Sequence, residues 1–139
     1  MTTVFAPYRD PSLSIDARVA DLLARMTRAE KVAQLGSFWA FEVVGGDGLE
    51  VDRLASLAGD GVGQITRLAG STNLRPIEVA ETANAIQDYL IEETRLRIPA
   101  IIHEECLHGV IAWGALTFQQ SIGAAAAYLT AFDTRFQTI

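Results

Sequence analysis

Ile98-Pro99-Ala100-Ile101-Ile102-His103-Glu104-Glu105-Cys106-Leu107-His108-Gly109 sets a brief apolar run directly before both of the chain's histidines, two carboxylates and its one cysteine. A proline disfavours helix at the residue before it, and Ala100-Ile101-Ile102 has the unbroken apolar character of a parallel strand buried on both faces. The reading predicts a strand whose carboxyl end opens into a polar loop. In α/β sheets ligands gather at such ends, so residues 103–108 form the candidate site. On extended backbone His103 and Glu105 face one side, Glu104 and Cys106 the other.

Upstream, Pro76 suits a helix N1 position, and Ile77 to about Leu96 carries Val79, Ala83, Ile86 and Leu90 on one face, as an amphipathic helix does. Before it, Gly61-Val62-Gly63-Gln64-Ile65-Thr66-Arg67-Leu68 reads as a short buried strand, followed by a polar loop over 70–75. Strand, helix and strand make a βαβ unit with a right-handed crossover, and the fold class is α/β.

Nearer the start, residues 1–13 read as an irregular lead-in. Ser14 is a candidate N-cap for a helix whose apolar residues Ile15, Val19, Leu22, Leu23 and Met26 fall on one stripe. Thr27 with Glu30 forms a capping box and opens a second helix through Val32 and Leu35 to Gly36. Phe38 to Val44 suits a strand or a buried loop, and Leu49 to Ala58 is weakly helical. Gly45-Gly46-Asp47-Gly48 reads as a turn, because no Lys-Ser/Thr follows to complete a phosphate-binding loop. At the other end, 124–139 is alanine-rich and proline-free, and Ala125, Leu129, Phe132 and Phe136 would line one face of a helical tail.

With 139 residues, half of them hydrophobic, the chain is expected to fold as one domain. Seventeen acidic residues against eleven basic ones, with no basic cluster, argue against nucleic acid or anionic membrane as a partner. A single cysteine cannot form an internal disulfide, and the amino terminus carries no basic region followed by a long apolar run. No apolar stretch is long enough to span a bilayer. The expectation is a soluble, cytoplasmic protein.

The chemistry of 103–108 admits several readings. His103, Glu105 and His108 could supply three ligands to a zinc ion at about 2.0 to 2.3 Å if the loop folds back, although their spacing differs from the helical His-Glu-x-x-His pattern. Cys106 as a nucleophile would require His108 as its base and a third, orienting group. The plainest alternative makes Cys106 a small buried hydrophobe and leaves both histidines satisfied locally. Two carboxylates beside two imidazoles exceed what packing requires, and a subsite for a polar ligand is the preferred functional reading; zinc is the alternative, and no cofactor is otherwise expected.

Three stretches bring a family into view. Tyr8-Arg9-Asp10-Pro11, Arg18 to Thr27, and Glu30-Lys31-Val32-Ala33-Gln34-Leu35 resemble the opening of glycoside hydrolase family 3 β-glucosidases and β-xylosidases. Ile98-Pro99, Glu105-Cys106-Leu107-His108-Gly109 and Phe118-Gln119-Gln120-Ser121-Ile122-Gly123 resemble the same family further along its first domain. The resemblance, over residues 8 to 123, implies the first part of a (β/α)8 barrel. It places Glu105 at the acidic position that grips sugar hydroxyls, with His108 and Gly109 as the His-Gly that shapes the following loop. Charge-assisted hydrogen bonds suit a carboxylate to that role. Glutamate in place of aspartate leans towards the xylosidase-like relatives.

Several departures qualify it. Closing a barrel takes about 200 residues or more, so the expectation is a helix-rich, partial (β/α)8-barrel fragment completed by self-association. The family's nucleophilic aspartate, usually within Ser-Asp-Trp, has no counterpart here, nor has its acid/base residue. Gln119 stands where a proline is usual, Trp113 near an expected arginine, and the sequence diverges after Gly123. Three functions follow as expectations. The first is a truncated glycosidase-type domain that keeps part of a β-glycoside subsite through Glu105 and His108. The second is a remodelled, metal-assisted hydrolase of ester or phosphoester bonds, and the third a non-catalytic, self-assembling homo-oligomer.

Overall fold

A computed structural model describes residues 6–46 and 48–127. Local signals place the first helices. The Ser14 hydroxyl accepts the Ala17 amide at 3.3 Å and opens α1, Ile15–Arg25. Thr27 and Glu30 each accept the other's backbone N–H, and this reciprocal cap opens α2, Arg28–Ala33. There follow β1, Ser37–Trp39, a 3-10 turn at Ala40–Glu42, and a hairpin of β2, Val44–Gly45, with β3, Gly48–Leu49. Then come α3, Val51–Ala58, β4, Gln64–Thr66, α4, Pro76–Glu92, and β5, Ile101–His103.

Strands β1, β4 and β5 form a parallel sheet in that order. The connection from β1 to β4 contains α3 and that from β4 to β5 is α4, so two consecutive βαβ units build it. This is α/β architecture, mixed helix and parallel sheet, as the apolar patterns predict. Along the register Ser37, Gln64 and Ile101 lie level, as do Trp39, Thr66 and His103 at the carboxyl ends.

Side-chain alternation divides the sheet into two faces. Phe38 and Ile65 join Leu54, Ala58, Ile86 and Leu90 in one buried cluster, against which Ile102 packs. Burying each such large side chain contributes about 1.5–3 kcal/mol, and this cluster holds the sheet to its helices. Gln87 on α4 adds a polar tie, donating to the Ala100 carbonyl at 2.8 Å and accepting its amide at 3.0 Å. The opposite face carries Ser37, Trp39, Gln64 and Ile101, all exposed.

The structure corrects several expectations. Ile101, read as buried on both faces of its strand, is 65% exposed, because among the described residues nothing covers the second face. The strand read over 61–68 shrinks to 64–66, since Arg67 turns to a φ of 56° and leaves the extended conformation. Helix α4 stops at Glu92 rather than near Leu96: the Thr94 hydroxyl bonds back to the Leu90 carbonyl, and Arg97, five residues past the helix, takes a φ of 54°. The stripe on α1 is half exposed at Val19 and Leu23 rather than buried. Within the lead-in, Pro7–Arg9 forms one 3-10 turn, fastened by the Tyr8 amide to Asp21 at 3.1 Å and the Tyr8 hydroxyl to the Leu96 carbonyl at 2.7 Å. Residues 121–127 are helical, whereas 1–5 of the lead-in and 128–139 of the expected tail lie outside the described residues.

An ion pair between buried Glu30 and exposed Arg95 joins α2 to the segment after α4. Arg95 forks onto Glu30 through Nε at 2.8 Å and Nη2 at 2.5 Å. The Arg95 guanidinium holds the Glu30 carboxyl down at about 2; burial opposes this, and the Thr27 amide and hydroxyl reinforce it. Among the described residues no helix is long and apolar enough to cross a membrane.

Candidate functional site

The pairing of the three parallel strands brings together residues far apart in sequence, Thr66 and His103 from the carboxyl ends of β4 and β5 and Ser37 from the start of β1. The Thr66 hydroxyl lies 2.8 Å from the Ser37 hydroxyl and 3.0 Å from Nε2 of His103, so a hydrogen-bonded row crosses the sheet from β1 to β5. Beyond it Arg67 stacks over the Trp39 ring, 5.6 Å from its centroid, and its Nη1 lies 3.7 Å from Oε2 of Glu105. Trp39 and Phe41 extend this surface as an exposed aromatic pair with centroids 5.8 Å apart.

The two adjacent glutamates have different surroundings. Glu104 turns to the loop after β4, where its carboxylate accepts the Ala69 amide at 2.6 Å and the Gly70 amide at 3.2 Å. A side chain at Gly70 would bring its Cβ within 2.9 Å of both Arg67 Nε and Glu104 Oε2, so any other residue there would displace one of these two side chains. Glu105 is instead 55% exposed, and its described ion pair is the one with Arg67. Glu104 fastens two loops; Glu105 offers a carboxylate to solvent.

His108 and Gly109 form a turn. The His108 carbonyl accepts the Phe118 amide at 2.5 Å, and Gly109 takes a φ of 104° with its Cα facing the Leu116 carbonyl, where a Cβ would come within 2.4 Å of the oxygen. Cys106 is exposed, which corrects its reading as a small buried hydrophobe. His103, Glu105 and His108 are not drawn into one cluster: His103 is engaged with Thr66, Glu105 with Arg67, and His108 belongs to the turn. Among the described residues no group of three or more His, Cys, Asp or Glu side chains is arranged to hold a metal ion.

What the geometry can do is hold a neutral, hydroxyl-rich ligand. An exposed carboxylate accepts hydroxyl hydrogen bonds, the serine, threonine and histidine row can donate or accept, and an indole face suits a ring with apolar C–H edges. Ser37, Trp39, Thr66 and Arg67 escaped the sequence reading. Thr66-Arg67 occupies the same strand-end position on β4 as His103-Glu104 on β5, and that equivalence was the available signal.

No family model matches the chain. A protein of Formosa agariphila named as a beta-xylosidase is 33% identical over 125 residues, a match covering 87% of this chain and 16% of that protein. The periplasmic beta-glucosidase/beta-xylosidase of Dickeya chrysanthemi is 40% identical over 102 residues, covering 69% of this chain and 15% of its own length. The chain is related to β-glycosidases. It spans about one sixth of the length of the curated relatives it matches. The longer of the two matches extends over most of the 139 residues, so the relationship concerns the sheet and its strand ends together.

Proposed function

We propose that these residues form the first part of a (β/α)8 barrel of the glycoside hydrolase family 3 type and bind a β-glycoside through Glu105. The observation that carries this reading is the exposed Glu105 carboxylate at the carboxyl end of a parallel strand, oriented by Arg67 beside Trp39, in a chain related to proteins named β-xylosidase and β-glucosidase/β-xylosidase. Glu105 accepts hydroxyl hydrogen bonds from the sugar, and the turn at His108 and Gly109 shapes the wall beside it.

Retaining hydrolysis requires two carboxyl groups about 5 Å apart on either side of the glycosidic bond. Glu104 cannot serve as the second, because both its oxygens are occupied by loop amides. The 139 residues contain no Ser-Asp-Trp sequence, so on this reading they bind sugar without cleaving it.

The outer edges of β1 and β5, the latter carrying exposed Ile101, are the surface through which a second copy of the chain extends the sheet, leaving the strand ends around Glu105 open to sugar. Native mass spectrometry should then show a homo-oligomer that Ile101→Lys dissociates; a monomer at micromolar concentration would contradict this assignment.

Titration with methyl β-D-xyloside and methyl β-D-glucoside, followed by NMR, tests the sugar reading. Saturable binding at the strand ends, with no release of aryl alcohol from an aryl β-xyloside, is the expected result. Absence of saturable binding by either glycoside would overturn it.

A further inference from the structure

Arg67 combines an uncommon backbone angle with a confined side chain. Its φ of 56° is left-handed, a region that side chains other than glycine rarely adopt. Arg97 has nearly the same φ, but it is exposed. Arg67 follows a strand, and local bonds close its turn: its amide donates to the His103 carbonyl at 2.7 Å, and its carbonyl accepts the Ser71 amide at 2.9 Å and the Ser71 hydroxyl at 2.7 Å. Its side chain is only 18% exposed, and its Nε is buried with no hydrogen-bond partner. An unusual backbone angle and an unpaired buried donor persist only where the surroundings over-determine them.

Those surroundings can be named. The Gly70 carbonyl accepts Arg67 Nη2 at 3.3 Å, the missing side chain of Gly70 makes room for the guanidinium, Glu104 fixes the Gly70 loop, and Trp39 lies against the guanidinium face. Together they leave Nη1 as the group turned towards Oε2 of Glu105. At 3.7 Å the contact is an ion pair rather than a hydrogen bond.

Resting on the sugar-binding reading, we propose that Arg67 is a positioning residue for glycoside recognition, acting through Glu105. It engages one carboxylate oxygen and leaves the other directed at sugar hydroxyls. Glu104 and Gly70 set the position of Arg67, which divides the work of the two adjacent glutamates between support and contact.

The test uses the full chain labelled with 15N, titrated with methyl β-D-xyloside and followed at the Trp39 indole N–H, with the Trp113 signal as internal control. Arg67→Gln should weaken binding at least tenfold and Arg67→Lys by a smaller factor. In a Glu105→Gln background, Arg67→Gln should change binding by less than twofold, because the route through Glu105 is already lost. Unchanged binding by Arg67→Gln, or an equal loss in both backgrounds, would overturn the proposal while leaving the sugar site standing. No binding by the unmodified chain would overturn the sugar site and this inference with it. Circular dichroism establishes that each variant is folded. Should Arg67→Gln fail to fold, Arg67→Lys decides the question: a loss of threefold or more sustains the proposal, and unchanged binding overturns it.

Discussion

The two faces of the parallel sheet make opposite use of the same three strands. On one, Phe38 and Ile65 are packed with Leu54, Ile86 and Leu90, and the contacts are apolar. On the other, Ser37, Thr66 and His103 form a polar row flanked by Trp39, Arg67 and Glu105. Alternation along a strand lets neighbouring residues divide these tasks, so Ile65 can anchor the fold while Thr66 faces the site. Stability and recognition are thereby separable by mutation.

The largest effect should fall on the packed face. Leu90→Ala empties a fully buried position in the cluster and should cost about 2–5 kcal/mol in urea unfolding. A loss below about 1 kcal/mol would mean that this face is not the principal source of stability.

Next comes the contrast between the adjacent glutamates. Glu104→Ala removes a charged acceptor from two loop amides and should cost about 1–3 kcal/mol. Glu105→Ala, at an exposed position, should change stability by less than about 0.5 kcal/mol. Equal costs would erase the proposed division between support and contact.

The Glu30–Arg95 pair lies away from both faces and gives a pH signature. Its carboxyl titrates at about 2 in the folded chain against an ordinary 4.5, so its contribution is complete above about pH 4.5 and disappears as pH falls towards 2. Because Arg95 is more than half exposed, solvent screening reduces the contribution to about 1–2 kcal/mol. Glu30→Gln should remove that part of the acid dependence of thermal unfolding; an unaltered profile between pH 5 and pH 2 would show that the pair contributes little.

Much of the frame was legible because its signals are local. Ser14, the Thr27 and Glu30 pair and Pro76 each mark a helix start within one turn, and α1, α2 and α4 begin there. Val79, Ile86 and Leu90 announced the buried side of α4 by their spacing alone. Glu105 was legible as a candidate because it follows an apolar strand. The site's other half was not, since Ser37 and Thr66 are 29 residues apart and Thr66 and His103 are 37 apart, and only the pairing of the strands brings them together. Nor could periodicity foretell that Ile101 would be exposed: an apolar residue at a strand start looks the same whether or not a second layer covers it.

The central claim is that Glu105 grips a sugar while Glu104 holds the loop. The most direct measurement is the affinity of Glu105→Gln for methyl β-D-xyloside beside that of the unmodified chain. The account predicts a loss of at least tenfold, with the unfolding free energy unchanged within about 0.5 kcal/mol. Saturable binding that survives Glu105→Gln undiminished would contradict it.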